Sequence, residues 1–231
     1  MRFILTLTLF LSFSVFAWDS IGHRVIAQIA YDQLSAPAKK QVDALTATMF
    51  HSPYPSARFL RASTWPDQIK SQTTQYNTWH YINLPFVKGD VKPPPLSADN
   101  VVWAIARAEK IVSDKADTDA QRAKYLSFLI HFIGDIHQPL HCAELYDDHF
   151  SHGDQGGNLY PIDSPMANNL HVLWDRGLGL FFSPKGNYQF HYYQVQKIAL
   201  QWMHEYPRTF FAKQLQVQSP SLWAQESYHI A

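Results

Sequence analysis

The 231-residue sequence has one cysteine, no surplus charge of either sign, no internal repeat and no low-complexity segment. Each absence excludes something. With Cys142 alone no intramolecular disulfide can form, so the fold relies on a large core, on bound metal or on both. Cys142 has no motif around it and reads as a small buried residue rather than a nucleophile. The 19 Lys and Arg balance the 19 Asp and Glu. A chain without a cationic surplus cannot hold nucleic acid by bulk charge, so any grip on phosphate must come from something local, such as clustered metal ions. Beyond the first residues no run is long and apolar enough to cross a membrane. Strands with period-two alternation are nearly absent, and the fold class that follows is all-α.

What is present belongs to a foldable globular chain, 46% hydrophobic and 16% charged. Aromatics make up 15%, with 7 Trp and 12 Tyr. Most of these belong in a core, and a few would suit a platform on which bases stack. The amino terminus has the shape of a signal peptide. Arg2 is a small positive region, Phe3 to Phe16 is apolar and uncharged, and Val15-Phe16-Ala17 suits a cleavage site. Cleavage after Ala17 leaves residues 18–231 as one domain, secreted or periplasmic, with Trp18 at its start.

Helical spacing places two helices between Ser20 and Met49, with Ile21, Val25, Ile26 and Ile29 as the apolar stripe of the first. Ser35 and Pro37 start the second. His51 to Asp99 reads as mostly irregular, and Lys92-Pro93-Pro94-Pro95 as a stiff connector. Two long helices follow, Asn100 to Asp114 and Asp119 to about Ile136, with Gln138-Pro139 ending the second. Asp147 to Asp163 is a Gly- and Asp-rich loop. Helices resume at Asn168 to Arg176, Tyr188 to Glu205 and Thr209 to Gln218, and Ser219-Pro220 starts a last one.

The 12 histidines are many for this length, and several stand beside Asp at metal-ligand spacing. His131 and Asp135 lie at i and i+4, on one face of a helix that also carries Leu129, Phe132 and Ile133. A helix that apolar is buried, and a charge buried there must be paired or bound to metal. Pro139 then turns the chain and lets His141 come back towards the same place. His171 and Asp175 repeat the i, i+4 pair. Thr64-Trp65-Pro66-Asp67 and Trp79-His80-Tyr81 are weak alone and gain weight from company. A mature Trp18 would offer an amine and a carbonyl able to chelate one cation in a five-membered ring, with His23 close enough to join.

Taken in order, Trp18…His23, Trp65-Pro66-Asp67, His80, His131…Asp135…His141 and His171…Asp175 resemble the ligand set of the S1/P1 nuclease family. These are the type I zinc-dependent, single-strand-specific nucleases of fungi, plants and bacteria, which share a superfamily with zinc-dependent phospholipases C. The resemblance implies a compact multi-helix bundle, phospholipase C/nuclease-like, with long irregular loops around a trinuclear zinc site. One zinc would take Asp67, His80, His131 and Asp135. A second would take His141, His171 and Asp175. The third would take the amine and carbonyl of Trp18, His23 and the other oxygen of Asp135. Such a cluster lowers the pKa of a shared water. The implied activity is endonucleolytic hydrolysis of single-stranded DNA and RNA to 5′-phosphate products, with 3′-nucleotidase activity on nucleotides.

The resemblance also places Asp67 and Lys70 at the reaction, and Tyr81, Asn83 and Asn158 against substrate. Asn83 departs from the Asp that several members carry there, and an amide donates as well as accepts. The chain lacks the disulfides of eukaryotic members and is shorter, which favours a bacterial form, monomeric, with no membrane or protein partner implied. Two other readings compete. A phospholipase C would close its second zinc site with His-x-x-x-Glu, where this chain has His171…Asp175. A structural or zinc-storing protein would use sites closed by four protein ligands, whereas His141, His171 and Asp175 supply three.

Overall fold

The computed structural model describes residues 18–181 and 188–231, the side chains of 188–191 excepted. The expected signal peptide, residues 1–17, lies outside the described residues. The fold is all-α, as expected. Helix α1 (Ser20–Gln33) opens on Asp19, whose carboxylate accepts the amides of Ile21 and Gly22. Helix α2 (Ala36–Met49) opens on Ser35, with Pro37 in its first turn. After α3 (Pro55–Ala62) and the short α4 (Trp65–Gln68) come α5 (Val101–Ser113) and α6 (Asp119–Ile136), capped by Asn100 and Thr118. The described remainder holds α7 (Leu170–Asp175), α8 (Tyr188–Glu205) and α9 (Pro220–Ile230).

Helix α6 is the axis of the molecule. It packs most extensively on α5 and then on α2, and its Phe128, His131, Phe132, Asp135 and Ile136 are wholly buried. Phe128 and Phe132, one turn apart, stack at 5.3 Å and 6°. Tyr76 and Trp79 wall them in, with Trp79 edge-on to Phe128. Each ring buried this way stabilises the fold by about 1.5–3 kcal/mol. A second cluster joins α1 to α8 through Ile21, Val25, Val195 and Ala199.

One expectation needs correction and two gain detail. His51 to Asp99 contains α3 and α4, each opened by a proline in its first turn, where the missing N–H costs nothing. Thr209 to Gln218 is not an α-helix. Short 3-10 turns stand at Arg208–Phe211 and Gln214–Gln216. Residues 204–218 are all exposed, and a segment with no face on the core lacks the packing that sustains an isolated helix. Four short strands also occur. Leu84–Val87 (β1) pairs parallel with Ala143–Tyr146 (β2), Leu84 opposite Ala143. Pro161–Ser164 (β3) and Ala167–Asn169 (β4) form an antiparallel hairpin before α7. Strands of three or four residues show too little alternation to be read from sequence. Among the described residues no helix is long and apolar enough to cross a membrane.

Candidate metal centre

The pair β1–β2 sets the two halves of the site side by side. His80 lies in the turn before β1 and His141 in the turn before β2. The amide of Ile82 donates to the carbonyl of His141, and His141 Nδ1 donates to the carbonyl of His80. Helix α6 supplies His131 and Asp135, α4 supplies Asp67, α1 supplies His23, and α7 supplies His171 and Asp175.

Three groups of ligand-type atoms result, each within 4.8 Å. The first is Asp67, His80 and His131, with Asp135 Oδ2 completing it at 2.9 Å from His80 Nδ1 and 3.2 Å from His131 Nε2. Asp67 Oδ1 lies 3.8 Å from His80 Nδ1 and 3.6 Å from His131 Nε2, and the two rings approach to 3.0 Å. Donors about 2.0–2.1 Å from a tetrahedral zinc stand about 3.3 Å apart. The observed separations bracket that value. The second group is His141, His171 and Asp175, with His171 Nε2 at 3.5 Å from Asp175 Oδ2. The third holds His23, His131 and Asp135. Here His23 Nε2 faces the other oxygen of Asp135, Oδ1, at 3.3 Å. Asp135 thus turns one oxygen to each of two groups. His131, expected in the first group alone, adjoins the third as well, its ring stacked on that of His23 at 3.9 Å.

Each of three rings is oriented by a backbone carbonyl. His131 Nδ1 donates to Ser63 O at 2.7 Å, His141 Nδ1 to His80 O at 2.8 Å, and His171 Nδ1 to Gly156 O at 2.7 Å. A carbonyl can only accept, so the proton sits on Nδ1 and Nε2 keeps its lone pair. On His141 and His171 that lone pair has no donor to meet. His23 Nε2, His141 Nε2, His171 Nε2 and Asp135 Oδ1 are buried and lack any hydrogen-bond partner among the described residues. Buried polar atoms are otherwise satisfied in folded proteins. Converging acceptors without donors are what a cation would satisfy, and the residues present fit zinc by donor type and spacing.

The electrostatics agree. Burial pushes the pKa of His80 and His141 down to about 4 and that of His171 to about 3. Burial, then the neighbouring His131, also lowers that of His23. These rings are therefore neutral at pH 7. Burial would raise the carboxyls of Asp67 and Asp135, but the surrounding histidines, with Lys70 at Asp67, hold both below the usual range. Asp175 goes the other way, well above it, through burial and the charges of Asp135, Asp67 and Asp19. A carboxyl crowded by other carboxylates is a site short of positive charge.

Trp18 comes to the edge of this cluster. The amide of Asp19 donates to the carbonyl of Asp175 at 3.0 Å, and the Trp18 indole donates to Gly134 O, beside Asp135, at 2.9 Å. A Cβ at Gly134 would lie 3.1 Å from His23 Nδ1, so glycine is what lets that ring lie against α6. In the uncleaved chain the Trp18 nitrogen is an amide, without the lone pair an amine would offer.

Lys70 is neither remote nor solvated. Its Nζ lies 2.7 Å from Asp67 Oδ1 and its side chain is only 15% exposed. Tyr81 is half-buried beside Glu144, whose carboxylate Asn83 also engages. Asn158 donates its amide to Gln155 O at 2.8 Å in the loop before α7. His137 lies outside the cluster, bonded to Ile133 O and packed on Trp223. Gln138, read from sequence only as a helix end, is fully buried and donates Nε2 to Asp175 Oδ1 at 2.8 Å. Its polarity between Ile136 and Pro139 is the one sequence signal that pointed to it.

A family model described as S1/P1 Nuclease matches residues 18–231. Nuclease P1 of Penicillium citrinum is 27% identical over 169 residues, 68% of this chain and 57% of the relative. Endonuclease 2 of Arabidopsis thaliana is 28% identical over 177 residues, 71% of this chain and 57% of the relative. Nuclease S1 of Aspergillus oryzae is 24% identical over 184 residues, 74% and 58% respectively. The matches thus span a little over half the length of these relatives.

Proposed function

This chain belongs to the S1/P1 nuclease family, matched over residues 18–231, and on that footing we propose that it is a zinc-dependent endonuclease. It hydrolyses phosphodiester bonds of single-stranded DNA and RNA to 5′-phosphate products and acts as a 3′-nucleotidase at the same site. The chain is exported by its first residues, cut after Ala17, and works as a monomer outside the cytoplasm.

The observation that carries this reading is the meeting of His23, Asp67, His80, His131, Asp135, His141, His171 and Asp175, with several of their buried acceptor atoms left without donors. Asp67, His80, His131 and Asp135 would hold one zinc. His141, His171 and Asp175 would hold a second, and His23, Asp135 and the mature Trp18 a third. Zinc bound there supplies Lewis acidity, which readies a water for attack on phosphorus and neutralises charge on the phosphate and the departing 3′-oxygen. The protein's share is positional. His23, His80, His141 and His171 stay neutral at pH 7 because they are buried, so their lone pairs are available without competition from protons, whereas His131, which burial alone would lower, is raised by Asp135 and Asp67. Asp135 couples two groups through its two oxygens. Lys70, held on Asp67, brings a positive charge to the opening of the site, where a phosphate is drawn by charge although the whole chain is neutral. Tyr81, Asn83 and Asn158 stand on the segments flanking His80 and His171 and contact the substrate.

The test is hydrolysis of single-stranded DNA and RNA by protein beginning at Trp18, before and after chelation and with zinc restored. Activity should vanish with the chelator and return with zinc, and Asp67→Ala should abolish it in folded protein. Full activity in Asp67→Ala would overturn the assignment of that group. Inactive protein that carries its zinc would turn the reading towards a phospholipase C, which a lipid substrate would reveal.

A further inference from the structure

Two buried acids lie outside the metal groups, Glu144 at 4% exposure and Asp154 at 5%. What they hold is backbone. Asp154 Oδ1 accepts the amide of Leu145 at 2.9 Å, and the amides of Gly156 and Gly157 also serve its carboxylate. Glu144 Oε1 accepts the amide of Gln155 at 3.2 Å, while its Oε2 accepts the Tyr146 hydroxyl at 2.8 Å. Both acids therefore clamp one turn, residues 153–157.

That turn is conformationally costly. Gly153, Gln155, Gly156 and Gly157 all have positive φ, at 91°, 56°, 60° and 82°. Gln155 has a Cβ that crowds the following carbonyl in this left-handed conformation. A Cβ at Gly156 would collide with the carbonyl of Leu140, so the turn is pressed against the segment carrying His141. Its other side meets α7. Gly156 O accepts His171 Nδ1 at 2.7 Å, and Gly157 O accepts the His171 amide at 3.3 Å. The strained turn thus delivers one carbonyl to the ring nitrogen that fixes the His171 tautomer. Left to itself, a turn with so many left-handed residues has easier conformations to adopt.

We propose that Asp154, seconded by Glu144, is a positioning residue for His171: the two carboxylates hold the 153–157 turn so that the Gly156 carbonyl orients the imidazole and leaves Nε2 free to bind metal. This rests on the reading of His171 as a metal ligand. Neither acid touches the metal group itself. Outer partners of this kind typically contribute 10–100-fold in metal affinity. In Asp154→Asn one carboxylate oxygen becomes an NH2 facing backbone amide donors, so the clamp is lost with little change in shape.

The experiment is a stepwise titration of metal-free protein beginning at Trp18 with Co2+, followed by its absorption, for wild type, Asp154→Asn and His171→Ala. The expected result is one step weakened 10–100-fold in Asp154→Asn, the same step that His171→Ala removes, with the other steps unchanged. A purely structural role for Asp154 would weaken every step alike, and that outcome, or no weakening at all, overturns the proposal. If His171→Ala leaves every step intact, the ligand reading fails instead. Should Asp154→Asn not fold, Glu144→Gln, which keeps the shape of the acid, decides by the same comparison.

Discussion

Removing the metal from this protein should cost it a large part of its stability. Four buried atoms that face the groups, His23 Nε2, His141 Nε2, His171 Nε2 and Asp135 Oδ1, have no hydrogen-bond partner among the described residues. A buried polar atom left unsatisfied costs about 1–3 kcal/mol, so the group represents roughly 4–12 kcal/mol, comparable to the whole stability of an ordinary domain. Relaxation and entering water relieve part of this, which makes the lower end, about 4 kcal/mol, the figure to expect. For a domain of this size each kcal/mol moves Tm by about 2–4 °C, so chelation should lower Tm by about 8–16 °C. The assay is thermal unfolding followed by circular dichroism, on protein beginning at Trp18. It is run zinc-loaded, then stripped and dialysed free of chelator, then with zinc restored. A stripped protein that melts within about 2 °C of the loaded one would refute the reasoning, because the orphaned acceptors would then not be a metal's place.

Other outcomes follow from the same geometry. His80, His141 and His171 titrate at about 4, 4 and 3 in the fold, against about 6.5 unfolded. Their folded pKa values are depressed, so below about 6.5 the unfolded chain binds more protons. Stability present above that pH is lost as pH falls towards 4, by about 1.4 kcal/mol per pH unit for each ring. His23, also lowered, adds to this, while His131, Glu144, Asp154 and Asp175, all raised, oppose it. Urea unfolding of stripped protein at pH 7 and pH 5 should show the loss, and equal midpoints would contradict it. Gln138→Ala should release Asp175 and weaken zinc at the second group by about 10–100-fold, read by competition with a chromophoric chelator. Protein beginning at Trp18 should bind one zinc more than the uncleaved chain, because only the freed amine completes the third group, and elemental analysis of the two forms decides it. Phe132→Ala should cost about 3–5 kcal/mol, since its ring packs on both His80 and His131 at 5.0 and 5.7 Å.

The parts legible in the sequence were those whose information is local. The i, i+4 pairs His131–Asp135 and His171–Asp175 show on one helix face whatever else the chain does. The cap Ser35 marks a helix start because a side-chain oxygen there meets an orphan amide within three residues. Asp67 and His80 were faint, because they sit in a stretch of short helices and turns where no period develops. Gln138, Glu144 and Asp154 were missed as participants, since what they bind lies in other segments of the chain.

Sequence alone therefore determined the helical class, the absence of any intramolecular disulfide, and the order of the nitrogen and oxygen side chains that could hold metal. Tertiary structure decided which ligands share a group. The parallel pairing of β1 with β2 sets His80 beside His141 across 61 residues, and the burial of α6 between α5 and α2 places Asp135 where its two oxygens face different groups. It also decided the state of each donor. A histidine in a sequence is only a ring with two nitrogens, and the carbonyls of Ser63, His80 and Gly156, reached through folding alone, select the one left open to metal. The physical reason is that periodicity and capping act over a few residues, whereas convergence, burial and tautomer are properties of chain segments that meet only in the folded molecule.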